Sequence, residues 1–338
     1  GSNSSYTPGG VFEGGDAWFV DGQWFNDKSL QPSDRSGSSD FFSDVDGYNY
    51  RPGRTLLGAR ELLNLGLTSS YEFTPTIEGS FTALYSNIES RTAGGYQTLG
   101  SSNTFGVLDV FSVGNMASNH PFIPAEVEET RSGSVSFTRR LVELGEQARV
   151  NERETFRLMA DLNGQLNDRF DWTMFATYGH FTQDQENPNE VNFYNAQQAL
   201  DIESDGSGGY QCVDAAARAD GCVPLNLFGE GSITEAAANY IRYNGFATQS
   251  RTQYTAGGYI TGDLFDIWAG PVKTAAGFEF RREEQSTTGD PDGDLVGGLD
   301  GDPATEDRAR TSLATFPSMS ASYEVIEGYA EIDVPLIA

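Results

Sequence analysis

The groups best suited to chemistry are three carboxylates, Glu327, Glu331 and Asp333, set two or four residues apart. Paired carboxylates can share the work of a general acid and a general base. On an extended strand this spacing puts all three on one face, and a polar strand face carries such residues in any case. The two histidines, His120 and His180, stand far apart and near no nucleophile motif, so both read as surface residues. No G-x-S-x-G, H-E-x-x-H or phosphate-binding loop occurs. Gly229-Glu230-Gly231 precedes a helix led by Ser232 and could receive an anion there, but Glu230 and Glu235 would repel it. Asp290-Pro291-Asp292-Gly293-Asp294 invites a calcium reading. An EF-hand loop needs Gly at the sixth place and Glu at the twelfth, where this chain has Leu295 and Gly301. It reads as a solvated acidic loop, open to opportunistic divalent cations. No catalytic, cofactor or metal site is expected, and the chain is not expected to be an enzyme.

Cys212 and Cys222 are the only cysteines and lie in a Gly- and Asp-rich stretch with no histidine nearby, which disfavours zinc. A local disulfide implies an oxidising compartment such as the periplasm or cell surface. Two unpaired thiols are the alternative. The 338 residues carry a formal charge of −28, with 21 Lys+Arg against 49 Asp+Glu, which argues against nucleic acid or anionic lipid as an electrostatic partner.

What positions these groups is a set of strands. Phe156, Leu158, Ala160, Leu162, Gly164 and Leu166 share one face, opposite Arg157, Met159, Asp161, Asn163 and Gln165. After Asn167-Asp168-Arg169 the chain returns with Phe170, Trp172, Met174, Ala176 and Tyr178 on one face. A period of two over such a length means β-strand. The same pattern predicts strands over Leu62–Phe73 and Ile77–Glu89, joined at Thr74-Pro75-Thr76. It predicts a third pair on either side of Asp266–Gly270, and a last strand from Ile326 to Leu336. A small hairpin is expected at residues 17–25 around Asp21-Gly22. Helices are expected over Val191–Leu200 and from a Ser232 capping box through Ile241, and a short helical turn near residues 119–126.

Short turns therefore alternate with long connections at 94–152, 184–250 and 286–320. Together with strands long enough to cross a bilayer, this is the outer-membrane barrel pattern. A soluble sandwich also alternates and is the less favoured fit. Loop aromatics Trp18, Trp24, Phe228 and Tyr240 either line a ligand entrance or pack the loops together.

The segment Arg54–Arg91 resembles the barrel of TonB-dependent outer-membrane receptors. So do Cys222–Gly229 after Cys212, Ala269–Val272 leading to Gly277–Arg281, and Gly328–Leu336. The resemblance runs from about residue 45 to the end. It implies a plugged 22-stranded barrel importing a scarce nutrient (a ferric siderophore, vitamin or oligosaccharide) with energy from the inner membrane. The plug, the box that contacts the energy-coupling TonB complex and the closing strand are not found here, so the chain is expected to be a fragment that does not transport by itself.

The expected fold is thus all-β, a partial transmembrane antiparallel β-barrel. About seven long strands form an up-and-down meander with long extracellular loops containing short helices. Residues 1–55 are expected as an extracellular loop with a hairpin, and 56–338 as barrel strands and loops. The expected location is the outer membrane of a Gram-negative bacterium. The expected partners are lipid and lipopolysaccharide, the plug, the TonB complex and a small-molecule or oligosaccharide ligand of unknown contacts. The alternative is a secreted or surface β-rich binding or adhesion protein without transport.

Overall fold

The computed structural model describes residues 4, 6–14, 17–20, 23–25, 48–100, 120–123, 135–290, 295–296, 308–309 and 318–337. The described residues are mostly β, with 67% of them in strands and 10% in helix. One antiparallel sheet dominates. In chain order its strands are β4 (Ala59–Thr74), β5 (Ile77–Tyr96), β8 (Glu146–Asn167), β9 (Phe170–Val191), β12 (Arg242–Ile267), β13 (Gly270–Gly289) and β16 (Met319–Asp333). Each pairs with the next, a seven-stranded meander with β4 and β16 as its edges. The sheet is not closed into a barrel.

The three hairpin turns are tight. Pro75-Thr76, Asp168-Arg169 and Trp268-Ala269 each join two strands directly. Asn167 shapes the second by accepting the amides of Arg169 (2.9 Å) and Phe170 (3.2 Å) on its side-chain oxygen, the local bond that makes Asn a turn residue. The third ends on Gly270 at φ +126°, a backbone setting that favours glycine. All three turns fall at one end of the meander, and all three long connections at the other.

The registers align the faces read from the sequence. Ser69, Phe81, Ala160, Ala176, Ala256, Phe280 and Ile326 face one another in a row across all seven strands. The next same-face row is Tyr71, Gly79, Leu162, Met174, Gly258, Phe278 and Gly328, and below it run Ile77, Gly164, Trp172, Ile260, Ala276 and Ala330. Glycines on this face lie opposite large rings: a Cβ on Gly164 would sit 2.5 Å from the Trp172 indole. The opposite face carries Ser80, Asp161, Phe175, Gly257, Glu279 and Glu327 in one row, with Glu78, Asn163, Thr173, Tyr259, Gly277 and Tyr329 in the next.

The strands outrun the sequence expectation. β8 and β9 have 22 residues each and β12 has 26. β5 continues to Tyr96, β8 starts at Glu146 and β12 at Arg242, which shortens the connections expected at 94–152 and 184–250. Toward the loop end both faces become polar (Asn87, Glu154, Thr182 and Ser250 against Arg153, Gln183 and Gln249), so no alternation marks the strand. β16 starts at Met319 and stops at Asp333, so Val334–Leu336 lie beyond it.

The described parts of the connections form structure of their own. β1 (Val11–Gly14), β2 (Ala17–Val20) and β3 (Gln23–Phe25) join β6 (Thr98–Gly100) and β7 (Ser136–Arg140) in a five-stranded sheet ordered β3-β2-β1-β7-β6. The expected hairpin at residues 17–25 is β2–β3, while its Asp21-Gly22 turn lies outside the described residues. Between β9 and β12 come α1 (Phe193–Leu200), a hairpin of β10 (Ile202–Ser204) and β11 (Tyr210–Cys212), α2 (Ala215–Ala219) and α3 (Glu235–Ile241). Leu295–Val296 (β14) and Arg308–Ala309 (β15) pair in the last connection.

Two helix details differ from expectation. α1 starts at Phe193 because Asn192 caps it, accepting the Asn195 amide at 3.1 Å. α3 is capped by Thr234, not Ser232. The Thr234 hydroxyl accepts the Ala237 amide at 3.2 Å, whereas Ser232 donates to the Asn226 carbonyl at 2.8 Å. The bounded turn near 119–126 is described at residues 120–123, where the Ile123 amide donates to the His120 carbonyl at 3.1 Å.

Burial divides the molecule. The hydrophobic core is formed by Phe12, Leu99, Phe137, Leu141, Leu144, Phe193, Leu225, Leu227, Ile241 and their neighbours, all in the connections and strand ends. The strands of the large sheet instead leave Leu65, Leu67, Tyr71, Phe73, Met174, Phe265, Phe278, Ile326 and Ile332 exposed. The N-terminal strand β1 and the described parts of the connections form a cap with a core of its own, and no such core lies along the middle of the large sheet.

Candidate functional site

The cap is tied together across long sequence distances. Phe228 stacks on Phe12 with ring centroids 3.9 Å apart, and the Gly229 amide donates to the Gly9 carbonyl at 3.0 Å. Tyr240 donates its hydroxyl to Gln198 at 2.8 Å. Two of the four loop aromatics singled out in the sequence, Phe228 and Tyr240, thus pack the loops together. The side chains of Trp18 and Trp24 lie outside the described residues. Cys212 and Cys222 are disulfide-bonded, with Cα atoms 6.3 Å apart. The bond closes a loop whose α2 is capped by Asp214, which accepts the Ala216 amide at 2.7 Å.

His120 is buried at 9% exposure, contrary to the surface position expected of it. Pro121-Phe122 turn the chain so that the Phe122 amide donates to Nδ1 (3.3 Å), while Nε2 faces the Leu200 carbonyl. Burial holds its pKa below the usual imidazole range, against the raising effects of the Leu200 carbonyl and Asp201. His180 lies on the large sheet, its Nδ1 3.0 Å from the Thr252 hydroxyl.

The sheet does not bring the sequence's candidate acids and bases together. Glu327 faces Glu279, Glu331 faces Ala275 and Asp333 faces Lys273, all on the polar side of edge strand β16. His180 shares its row with Phe156 and Thr252 on the other side. Among the described residues no group of three His, Cys, Asp or Glu could hold a metal. Of the acidic stretch at 290–294 only Asp290 is described, and it is buried.

The polar face is instead a hydrogen-bonded surface. Ser80 donates to Asp161, Asn163 donates to Asp161 at 2.7 Å, and Thr173 donates to Asn163 at 2.8 Å, linking three strands. Toward the loop end, Gln253 donates to Glu283 at 3.0 Å. Around Gly179, where a Cβ would meet nothing within 4 Å, lies a hollow of about 420 Å³ lined in part by Arg157, Phe181, Arg251 and Tyr323. No ion pair to Arg157 or Arg251 forms among the described residues.

A second hollow, of about 330 Å³, lies at the loop end of β5 and is lined by Tyr6, Tyr50, Arg54, Tyr96 and Arg140 among others. The sequence does signal it. Tyr48-Asn49-Tyr50-Arg51-Pro52-Gly53-Arg54 concentrates arginine and tyrosine in a chain poor in bases, but nothing local links it to Arg140. The chain matches no protein-family model and no curated protein.

Proposed function

We propose that the chain is part of an outer-membrane receptor that takes up a scarce nutrient with energy coupled from the inner membrane. The observation that carries the proposal is the division of burial. The sheet keeps a contiguous apolar face exposed, while the cap buries its own core. A monomeric soluble protein rarely exposes apolar patches beyond a few hundred Å²; in a bilayer such a face is solvated by lipid.

The dimensions support the same reading. Five apolar rows, from the Leu158–Tyr178 pair down to Phe170 and Ile332, span about 27 Å of strand at ~3.4 Å per residue. At the usual ~40° tilt that is about 20 Å of height, close to the ~25 Å apolar band of such barrels. Tyr71, Phe73, Phe170, Trp172 and Trp268 gather near the tight turns, as an aromatic girdle does. The tight turns then face the periplasm and the cap faces outward. Edges β4 and β16 pair with further strands, and the hydrogen-bonded polar face, with Arg157 and Arg251, lines the lumen and meets a plug. Capture of the ligand by cap and plug precedes its passage through the lumen.

The test is extraction of the gene product from washed membranes. Release only by detergent supports the proposal. Release by carbonate or salt contradicts it and points to a soluble surface-binding or adhesion protein. Detergent-dependent protein whose deletion leaves nutrient uptake unchanged would retain the barrel and refute the transport role.

A further inference from the structure

We infer that the hollow at the loop end of β5 is a binding site for a small oxygen-rich anion, of the class of sugar acids and phosphates. At about 330 Å³ it falls at the small end of ligand pockets, which run ~300–1,000 Å³. Its floor is Arg140, only 7% exposed. Arg140 donates from Nε to the Tyr6 carbonyl (3.1 Å), from Nη1 to the Tyr96 carbonyl (3.0 Å) and from Nη2 to the Ser4 hydroxyl (3.0 Å). Its guanidinium also lies 4.7 Å from the centre of the Tyr48 ring.

A guanidinium has five N–H donors, so these three bonds hold the fork in place, and the other two donors meet no partner among the described residues. These three partners are all neutral. Among the described residues no carboxylate pairs with Arg140 or with Arg54, which stands exposed at the rim with its guanidinium 4.6 Å from the Tyr50 ring centre. Burial pushes the Arg140 pKa down and repulsion from Arg54 adds to this, against the raising effects of Tyr48, Tyr50 and Tyr6. A buried charge without a counter-charge is costly, and a bound anion supplies one. In a chain with 49 acids and 21 bases, two arginines at one hollow whose lining holds no carboxylate stand out.

The backbone is shaped around the space. The Arg54–Gly94 bridge places the rim arginine, and the Ser4–Tyr48 bridge places the ring under Arg140. A bulge between Ala93 and Gly95, with Gly95 at φ +87°, turns Tyr96 and Gln97 into the hollow. A planar guanidinium can hold carboxylate or phosphate oxygens by two parallel bonds, and tyrosine rings offer an apolar body with a polar tip to a sugar.

Such a site gives the receptor proposed above its ligand class. It rests on that reading only for transport after capture; binding itself needs no bilayer. The test is calorimetric titration of the full chain in detergent with glucuronate, inorganic phosphate and glucose. Binding of glucuronate alone assigns a carboxylate source, and binding of phosphate alone assigns a phosphate source. Glucose is expected to be silent, and affinity to fall with salt. Arg54→Gln should weaken binding about ten-fold, the worth of one charge-assisted hydrogen bond. Arg140→Lys keeps the charge, loses the fork and should weaken it as well. If Arg140→Lys fails to fold, the exposed Arg54→Gln still decides. Silence with both anions, equal binding of glucose, or unchanged affinity in Arg54→Gln overturns the assignment. Anion binding by a protein that carbonate strips from membranes leaves this site standing and removes the receptor.

Discussion

The imidazole Nε2 of His120 lies 2.9 Å from the carbonyl oxygen of Leu200, the last residue of α1. Nδ1 accepts the Phe122 amide, so the ring is held neutral with its proton on Nε2. One histidine thereby joins the first long connection to the second.

Acid should loosen this joint. The folded pKa is depressed, chiefly by burial, so the unfolded chain takes up the proton first as pH falls. The stabilisation is fully present above the ordinary value of about 6.5 and is lost as pH drops below it. Thermal melts of the cap at pH 7.5 and pH 5 should differ more in the native protein than in His120→Gln. An equal difference in both would show that another group carries the pH dependence.

Phe12 is fully buried and stacks on Phe228. Phe12→Ala should cost ~3–5 kcal/mol of cap stability, the usual cost of emptying a core aromatic site. Limited proteolysis reads the result, with faster cleavage of the N-terminal segment while the large sheet stays protected. Unchanged cleavage would mean that β1 is held by its ladder alone.

The two faces of the sheet should respond oppositely to charge. Ala160 sits in the apolar row between Phe81 and Ala176, and Ala160→Arg should cost about 2–4 kcal/mol in a bilayer near the midplane. Asn163 faces Glu78 on the other side and bonds to Asp161, so Asn163→Arg finds carboxylate neighbours and should be far milder. If the sheet belongs to the barrel proposed above, denaturant titrations of the protein in lipid provide the comparison. Equal costs would contradict the assigned facing.

Thr234→Ala should destabilise α3 by ~1 kcal/mol through loss of its cap, and Thr234→Ser should restore most of it. Hydrogen exchange at the Ala237 amide is the local probe, since that amide is the one the Thr234 hydroxyl receives. If the amide exchanges as slowly in Thr234→Ala as in the native protein, Thr234 is not the cap.

The sheet was legible in the sequence wherever one face is apolar. Leu158, Ala160 and Leu162 against Asp161 and Asn163 give strand, facing and turn position together, and the registers agree with them. The signal stops near Glu89 and near Thr182, where neither face is apolar, and there the strands continue unseen. The cap was harder still. Phe12, Leu99, Phe137 and Leu225 sit in short apolar patches too brief to show a period, and only folding brings them into one core. Ser232 and Glu235 imitate a capping box closely enough to displace the true cap by two residues. The Arg140 hollow draws on four separate stretches of chain, a grouping that no local spacing encodes.

The cap core draws on residues from Phe12 to Ile241, whereas each of the three hairpins closes over a two-residue turn. Local closures are fast, and distant ones must first meet the entropy of the chain between them. The hairpins are therefore the early structures, and the cap cannot be completed before residue 241 has been made and brought back to β1. A lesion in Phe12 would leave the hairpins free to form and strike at the long-range closure.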